Sequence, residues 1–399
     1  MTDQSRQYQN YISRQENYKV IVYGIGGTLK DAIGYIRLRF DIVGCSDSNP
    51  AKEDNDVIPD IPFYEKAELS SADYDYILIV SAADSEIKED LIRHFHIPEE
   101  KLLLRNQWDR MVFHYSYGEK NPDKTFYVLS KPIRKRNGIY SINFSFLDQL
   151  ERIEKAGYIP VIDMQNFESQ YLLPEQVGTV NAWNQFYEPL SSFTVDEVYR
   201  SRNVIAGFDS NYYVEDFEKK YNYQECKTVY QKYFHLNSEM KATVKAEYDR
   251  LFPGRGKVLG VLFRGTDMNA LHLPHHAIQP SIQEMIEIVR RRKAEWGCNS
   301  IYLTTESEEA VQAFSQTFGD AVFYTDQARF SDTGDKWLAN IHFERENDPY
   351  LRGKEYITTI SLLSLCNCIA GGICAASLCA PLQKEGEYEH IEFVNKGYF

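Results

Sequence analysis

Positive charge is in short supply. The 399 residues carry 44 Lys and Arg against 58 Asp and Glu, a net charge of -14. That balance excludes non-specific nucleic-acid binding, so any phosphate site has to be a local basic patch. Cysteine is sparse too: seven, an odd number, scattered without a framework, which points to a reducing compartment. Cys366 and Cys368 lack the neighbouring Cys or His that a zinc site needs. There is no H-E-x-x-H frame and no D-x-D pair at a strand end, so the two commonest metal signatures are missing. The N-terminus, MTDQSRQYQNYISRQENY, has no apolar core of the signal-peptide kind. No short-period repeat and no low-complexity tract occurs. A cytoplasmic protein is expected, at most peripheral to the inner membrane face.

One uncharged run is long enough to span a bilayer, Ile357–Gln383. It also holds Thr358, Thr359, Ser361, Ser364, Asn367 and Ser377, with Gly371-Gly372 in the middle. Those groups would need partners in lipid, so the run reads as a buried helix, a short strand, a glycine turn and a second helix. No transmembrane segment is expected.

What is present is a succession of strand–helix units, in a chain long enough for two or three domains. Lys19–Tyr23 is an apolar run that ends in Gly24-Ile25-Gly26-Gly27 and leads into a helical pattern. Phe40–Cys45 follows, ending at Asp47, and Tyr76–Val80 precedes a helix over Ser85–Phe95. A glycine turn after the first strand and an acid after the second is the layout of a dinucleotide-binding unit. The fingerprint is incomplete, because Leu29 stands at its third glycine. A structural or regulatory Rossmann-like module is favoured, with a nicotinamide-linked oxidoreductase as the alternative.

A polar linker is expected over Ser116–Lys124, then a strand over Thr125–Leu129. The most basic run comes next, Lys131, Arg134, Lys135 and Arg136, before Asn137-Gly138. It reads as a solvated loop or as a loop that receives phosphate. Ile139–Ala156 is an amphipathic helix, and Tyr158–Met164 a strand with Asp163 at its carboxyl end. The aromatics of Trp183–Pro189 are candidates for stacking on sugar rings and equally for core packing.

Val258–Asp267 is the most informative stretch. Its apolar and glycine residues suit a strand buried on both faces, and it ends in Arg264-Gly265-Thr266-Asp267. Open α/β sheets bind ligands at the carboxyl ends of their strands. A guanidinium there matches phosphate oxygens, and Gly265 lets the backbone approach a ligand. An Arg–Asp pair closing a strand end is the other reading. The following loop carries His272, His275 and His276, candidates for proton transfer or acceptor binding. Ser300–Leu303 leads to Thr304-Thr305-Glu306-Ser307, again polar residues at a strand end opening a helix.

From about residue 125 onward the chain resembles the fucosyltransferase superfamily of the α1,6-fucosyltransferases, the NodZ-type enzymes and the protein O-fucosyltransferases. Gly260–Asp267 resembles its G-V-H-x-R-R-x-D strand, Ile301–Glu306 its V-Y-x-A-T-D block, and Leu363–Gly372 its final block. Asn137–Tyr140 and Trp183–Pro189 fit its first half. The nearest resemblance is to a bacterial branch that accompanies surface-polysaccharide genes. The N-terminal section resembles the small Rossmann-like domains attached to bacterial sugar-modifying enzymes.

The resemblance implies an α/β fold, a GT-B-like pair of Rossmann-type domains after a small Rossmann-like domain. The divisions are 1–115 for the accessory domain, 125–250 for the acceptor-side half and 256–399 for the nucleotide-sugar half. It implies inverting, metal-independent transfer of a fucose-like sugar from a GDP-sugar to a glycan or glycoconjugate, with no cofactor. Arg264 falls on the family arginine that contacts the donor phosphates. Asn137, Gly138, Thr305, Glu306, Glu355, Gly371, Gly372 and Cys374 are implied donor contacts. Asp267, His272, His276 and Asp163 are candidate bases, with Arg264, Asp267 and His272 forming the expected catalytic set. The chain departs from the pattern at Leu262 for His, Gly265 for the second Arg, and Ile373 and Cys374 for serines. The base-reading acid falls near Thr358, with Glu355 one turn away. A non-catalytic sugar-binding protein is the remaining alternative.

Overall fold

The computed structural model describes residues 18–108, 111, 113–131, 137–206, 222–266, 272, 276–331 and 337–399. Asp267, His275 and the basic residues Arg134, Lys135 and Arg136 lie outside that set. The chain divides into two compact units: residues 1–134, 153–163 and 191–211 form the first, and 135–152, 164–190 and 212–399 the second.

The first unit holds two sheets. Alternating apolar runs and helices build β1 (Lys19–Tyr23), α1 (Gly27–Arg39), β2 (Asp41–Ser46), β3 (Tyr76–Ile79), α2 (Asp84–Phe95) and β4 (Leu102–Leu103). They pair in parallel in the order β2-β1-β3-β4. Val20 and Val22 face Leu29, Ala32 and Ile36 of α1, while Ile21 and Tyr23 face the opposite core with Leu91 of α2. Burial on both faces is what uninterrupted apolar strands require. The second sheet has the order β5-β8-β6-β7, from β5 (Phe113–Tyr115), β6 (Lys120–Ser130), β7 (Ile159–Asp163) and β8 (Ser201–Ala206), with only β5 antiparallel. The linker expected over Ser116–Lys124 is corrected here, because β6 begins at Lys120. Its polar start is held by Asn203, whose side-chain amide donates to the Pro122 and Lys124 carbonyls at 2.8 and 3.3 Å. Helix α3 (Ile139–Lys155), which connects β6 to β7, belongs mostly to the second unit.

The second unit contains α4 (Tyr223–Tyr233), α5 (Ser238–Leu251), β9 (Val258–Phe263), α6 (Ile282–Glu295), β10 (Ser300–Thr305), α7 (Glu308–Phe318) and β11 (Val322–Phe323). It finishes with α8 (Asp348–Ser364), β12 (Cys368–Gly372), α9 (Ala375–Gln383) and β13 (His390–Val394). The strands form one parallel sheet, β11-β10-β9-β12-β13. Every residue of β9 is buried. Leu259, Val261 and Phe263 pack with Met285 and Val289 of α6 and Phe314 of α7. On its other face α8 comes so close that a Cβ on Gly260 would lie 2.5 Å from a Leu363 methyl. A glycine in mid-strand is therefore the condition for this helix–sheet contact.

The uncharged run 357–383 is the end of α8, then β12 and α9. Its hydroxyls are satisfied within the helix: Thr358 donates to the Lys354 carbonyl at 2.7 Å, Thr359 to Tyr356 at 2.9 Å and Ser364 to Ser361 at 2.7 Å. Gly371 and Gly372 end a strand instead of forming a turn. Among the described residues no helix is long and apolar enough to cross a membrane.

Candidate functional site

The polar residues at the carboxyl ends of β9, β10 and β12 come from segments that are otherwise apolar. Burial fixes the strands, and the first residues beyond them are left to do chemistry. Beyond β9, Arg264 is partly buried, its side chain 23 % exposed. Its Nη1 lies 3.4 Å from Glu306 Oε1, at the end of β10. The same carboxylate oxygen accepts the Gly265 N–H at 3.1 Å and the Thr266 hydroxyl at 2.9 Å. A main-chain amide, a hydroxyl and a guanidinium thus converge on one anionic oxygen.

Two tyrosines join them that the sequence reading did not single out. Burial pushes the Tyr356 hydroxyl well up, with Cys374, Arg264, Glu306 and Tyr171 as further electrostatic neighbours. Burial also raises Tyr171, against the Ile139 amide and the charges of Arg352 and Arg264. The Tyr171 hydroxyl accepts the Ile139 N–H at 2.7 Å, fixing the start of α3. Arg264, Glu306 and Cys374, from three strand ends, thus all act electrostatically on Tyr356. The one available signal for it was its place beside Glu355 on the helix covering the sheet.

The other expected donor contacts are placed as follows. The Thr305 hydroxyl is buried and accepts the Ser307 N–H at 3.1 Å, closing the turn into α7. The Asn137 carbonyl accepts from Gln170 Nε2 at 2.8 Å, and the space around Gly138 is open. Glu355 is engaged in a two-pronged pair with Arg345, at 2.5 and 3.0 Å. Arg345 Nε also reaches Asp348 at 2.7 Å, and Asp348 accepts from Arg352 at 3.2 Å. Thr358 is buried and turned back on its own helix. At the end of β12 the Cys374 N–H donates to Ser377 Oγ at 2.9 Å, so that amide is already used within α9.

Gln279 is a second residue the sequence reading missed. It is buried, and its Nε2 donates to the Ala277 carbonyl at 3.0 Å and the Ile373 carbonyl at 2.8 Å. Its Oε1 has no hydrogen-bond partner among the described residues and presses on Gly372, where a Cβ would lie 2.0 Å away. That contact is the reason for glycine at 372.

Of the candidate bases, His272 is exposed, has a positive φ of 43°, and stacks on Phe399 at 4.6 Å. His276 is half-buried on a segment paired with the C-terminal tail: Phe399 N–H donates to its carbonyl at 3.1 Å. Asp163 is fully buried in the first unit and accepts from the Tyr199 hydroxyl at 2.9 Å. Trp183, Phe186 and Tyr187 are core residues, with Trp183 stacked on Tyr187 at 4.3 Å. In the N-terminal sheet Asp47 accepts the Ile25 N–H at 2.6 Å and the Asn49 N–H at 2.9 Å. One oxygen thus braces the glycine loop on which a dinucleotide would rest, and the other closes the turn after β2. Among the described residues no group of three or more His, Cys, Asp or Glu is arranged to hold a metal ion.

Fold and site together define an α/β protein with parallel sheets and polar groups gathered at strand carboxyl ends, where open α/β sheets bind ligands. Residues 16–103 match the family model described as C2185-like, N-terminal. No curated protein matches the chain. Fucosyltransferases are among its structural neighbours. One is NodZ α1,6-fucosyltransferase soaked with GDP-fucose, at 15% identity and TM-score 0.42, covering 65% of this chain and 93% of that one. Another is POFUT1 in complex with GDP, at 10% identity and TM-score 0.30, covering 96% and 99%. A third is a variant of FUT1 from Arabidopsis thaliana in complex with GDP, at 11% identity and TM-score 0.37, covering 66% and 70%.

Proposed function

We propose that the chain is a glycosyltransferase that moves a fucose-like sugar from a GDP-sugar onto a glycan or glycoconjugate, with inversion and without a metal. The observation that carries this reading is the convergence of Arg264, the Gly265 N–H and Thr266, at the end of β9, on one carboxylate oxygen of Glu306 at the end of β10. Donors fixed in a partly buried corner stabilise charge that develops on a departing diphosphate, and need no reorganisation to do so. In this role Arg264 meets the leaving-group oxygens, and the dipole of α9 adds to it at that helix's amino end. The sugar leaves with oxocarbenium character, and the acceptor hydroxyl attacks from the opposite face. His272 and His276 are the candidates among the described residues to take its proton, with Asp267 the third.

The section 1–115 is read as an accessory Rossmann-like domain, 125–250 as the acceptor-side half and 256–399 as the nucleotide-sugar half of a GT-B-like unit. The protein is placed in the cytoplasm, at most peripheral to the inner membrane face.

Thermal melting with GDP-, UDP-, CDP- and dTDP-sugars tests the donor class. A ligand at 100 times its Kd adds about 2.7 kcal/mol of stability. GDP-fucose is expected to raise the melting temperature in wild type and far less in Arg264→Ala. No shift with any nucleotide sugar, or equal shifts in both proteins, overturns the reading. A shift without turnover would leave a sugar-nucleotide-binding protein.

A further inference from the structure

We infer that Glu306 is the resident occupant of an anion cradle and leaves it when a phosphate arrives, an inference that rests on the donor-phosphate reading of Arg264. The cradle consists of the Gly265 N–H, the Thr266 hydroxyl and the Arg264 guanidinium, meeting Glu306 Oε1 at 3.1, 2.9 and 3.4 Å. This is a donor set for a tetrahedral oxyanion, since amide, hydroxyl and guanidinium groups all serve phosphate oxygens. A carboxylate oxygen accepts from the same donors. A diphosphate cannot share them with Glu306, because two like charges a few ångströms apart in a partly buried corner repel strongly.

The geometry allows an exchange without moving the fold. The guanidinium contact is longer than the roughly 2.7–2.9 Å of a tight charge-assisted bond. The main chain at Glu306 is pinned by the Phe330 N–H, which donates to its carbonyl at 2.9 Å. The next residue, Ser307, caps α7 by accepting the Ala310 N–H at 3.2 Å. Movement is thereby confined to the Glu306 side chain, which is 16 % exposed and has a route to solvent. When the site is empty, Glu306 occupies the cradle as an acceptor for its donors. When a diphosphate enters, its oxygens replace the carboxylate and Glu306 swings out. The alternative role, a carboxylate that stays in place and orients Arg264 for the ligand, predicts the opposite sign.

Calorimetric titration of the full chain with inorganic pyrophosphate separates the two, using wild type, Glu306→Gln and Arg264→Gln. Exchange predicts that Glu306→Gln binds pyrophosphate about tenfold tighter or more, because one competing charge-assisted partner is gone. It also predicts that ligand-free Glu306→Gln melts lower than wild type, while pyrophosphate raises its melting temperature by more. If Glu306→Gln does not fold, Glu306→Ala carries the same expectation. Equal or weaker binding in the Glu306 variant, with binding still lost in Arg264→Gln, overturns the exchange alone. Absence of binding in wild type and Glu306 variant alike, or binding indifferent to Arg264→Gln, overturns the phosphate reading and the exchange with it.

Discussion

Replacing Arg264 by alanine separates chemistry from architecture at the β9 corner. If the guanidinium acts on charge that develops on the leaving diphosphate, its loss should resemble removal of an oxyanion-hole donor. That costs about 10²–10³ in kcat, or about 2.7–4 kcal/mol. The fold should lose much less. Glu306 keeps the Gly265 N–H and the Thr266 hydroxyl as donors. The lost ion pair is partly buried and loose at 3.4 Å, between the exposed and the buried case, so a cost of about 1–2 kcal/mol is expected. In a unit of this size that corresponds to a melting shift of a few degrees. GDP release from GDP-fucose with water as acceptor measures the chemistry without knowledge of the natural acceptor. Both kcat and kcat/KM should fall together, since a purely ground-state contact would raise KM and spare kcat. Arg264→Lys should recover only part of the rate, because a point charge replaces a planar fork. Turnover in Arg264→Ala within about threefold of wild type would refute the assignment. So would a rate loss fully accounted for by unfolded protein.

The Arg345–Asp348–Arg352–Glu355 cluster at the start of α8 should be a stability element: Asp348→Ala removes one acceptor from each of two partly buried guanidinium groups, Arg345 keeping Glu355 and Arg352 keeping the Leu338 and Ile341 carbonyls, and should cost about 1.5–3 kcal/mol, read from thermal melts, and a cost below about 1 kcal/mol would contradict this. Gly372→Ala should lose about 1–3 kcal/mol, because its methyl would lie 2.0 Å from Gln279 Oε1, whose amide is held at its other end by two carbonyls. Gly138→Ala, whose added methyl meets nothing within 4 Å among the described residues, is the control expected to be near neutral. The hydrogen bonds from Lys396, then those at Ser281, hold the Glu284 carboxyl below its ordinary 4.5, at about 2. A depressed carboxyl stabilises the fold above its unfolded pKa and loses that contribution as pH falls through the folded value. Acid melts should therefore show a wild-type advantage over Glu284→Gln that disappears between about pH 4.5 and pH 2, and an advantage unchanged across that window would count against the pairing.

The strands were legible because burial on both faces leaves an apolar signature that local reading detects: β1, β3 and β9 lie where their runs of Ile, Val and Leu placed them. Arg264 and Glu306 were legible for a related reason, since polar residues right after such runs sit at strand ends. What remained hidden depends on contacts distant in sequence. Nothing near Gln279 announces that its amide bridges Ala277 and Ile373. The polar start of β6 resembled a linker because its partner Asn203 lies some eighty residues away. Glu355 stood one turn from Thr358 as the candidate for the base-reading acid, and only the fold brings Arg345 against it. The aromatics of 183–187 left two readings open, and burial selected the core.

The charge balance gives these placements a common logic. In a chain of net charge -14, a phosphate site cannot draw on a long-range attractive field. Recognition has to come from a few donors held in place and shielded from water, where each is worth more than at the surface. Such donors are costly when unpaired, so an empty site needs an internal partner. Asp348 and Glu355 fill that need for Arg345, with contacts at 2.7, 2.5 and 3.0 Å. Glu306 is one such partner for Arg264, at a longer 3.4 Å. The tight pair belongs to a structural helix start. The looser contact stands at the end of β9, where the proposed ligand would displace it, and such a contrast in length is what the exchange reading expects between a cation serving the fold and one serving a substrate.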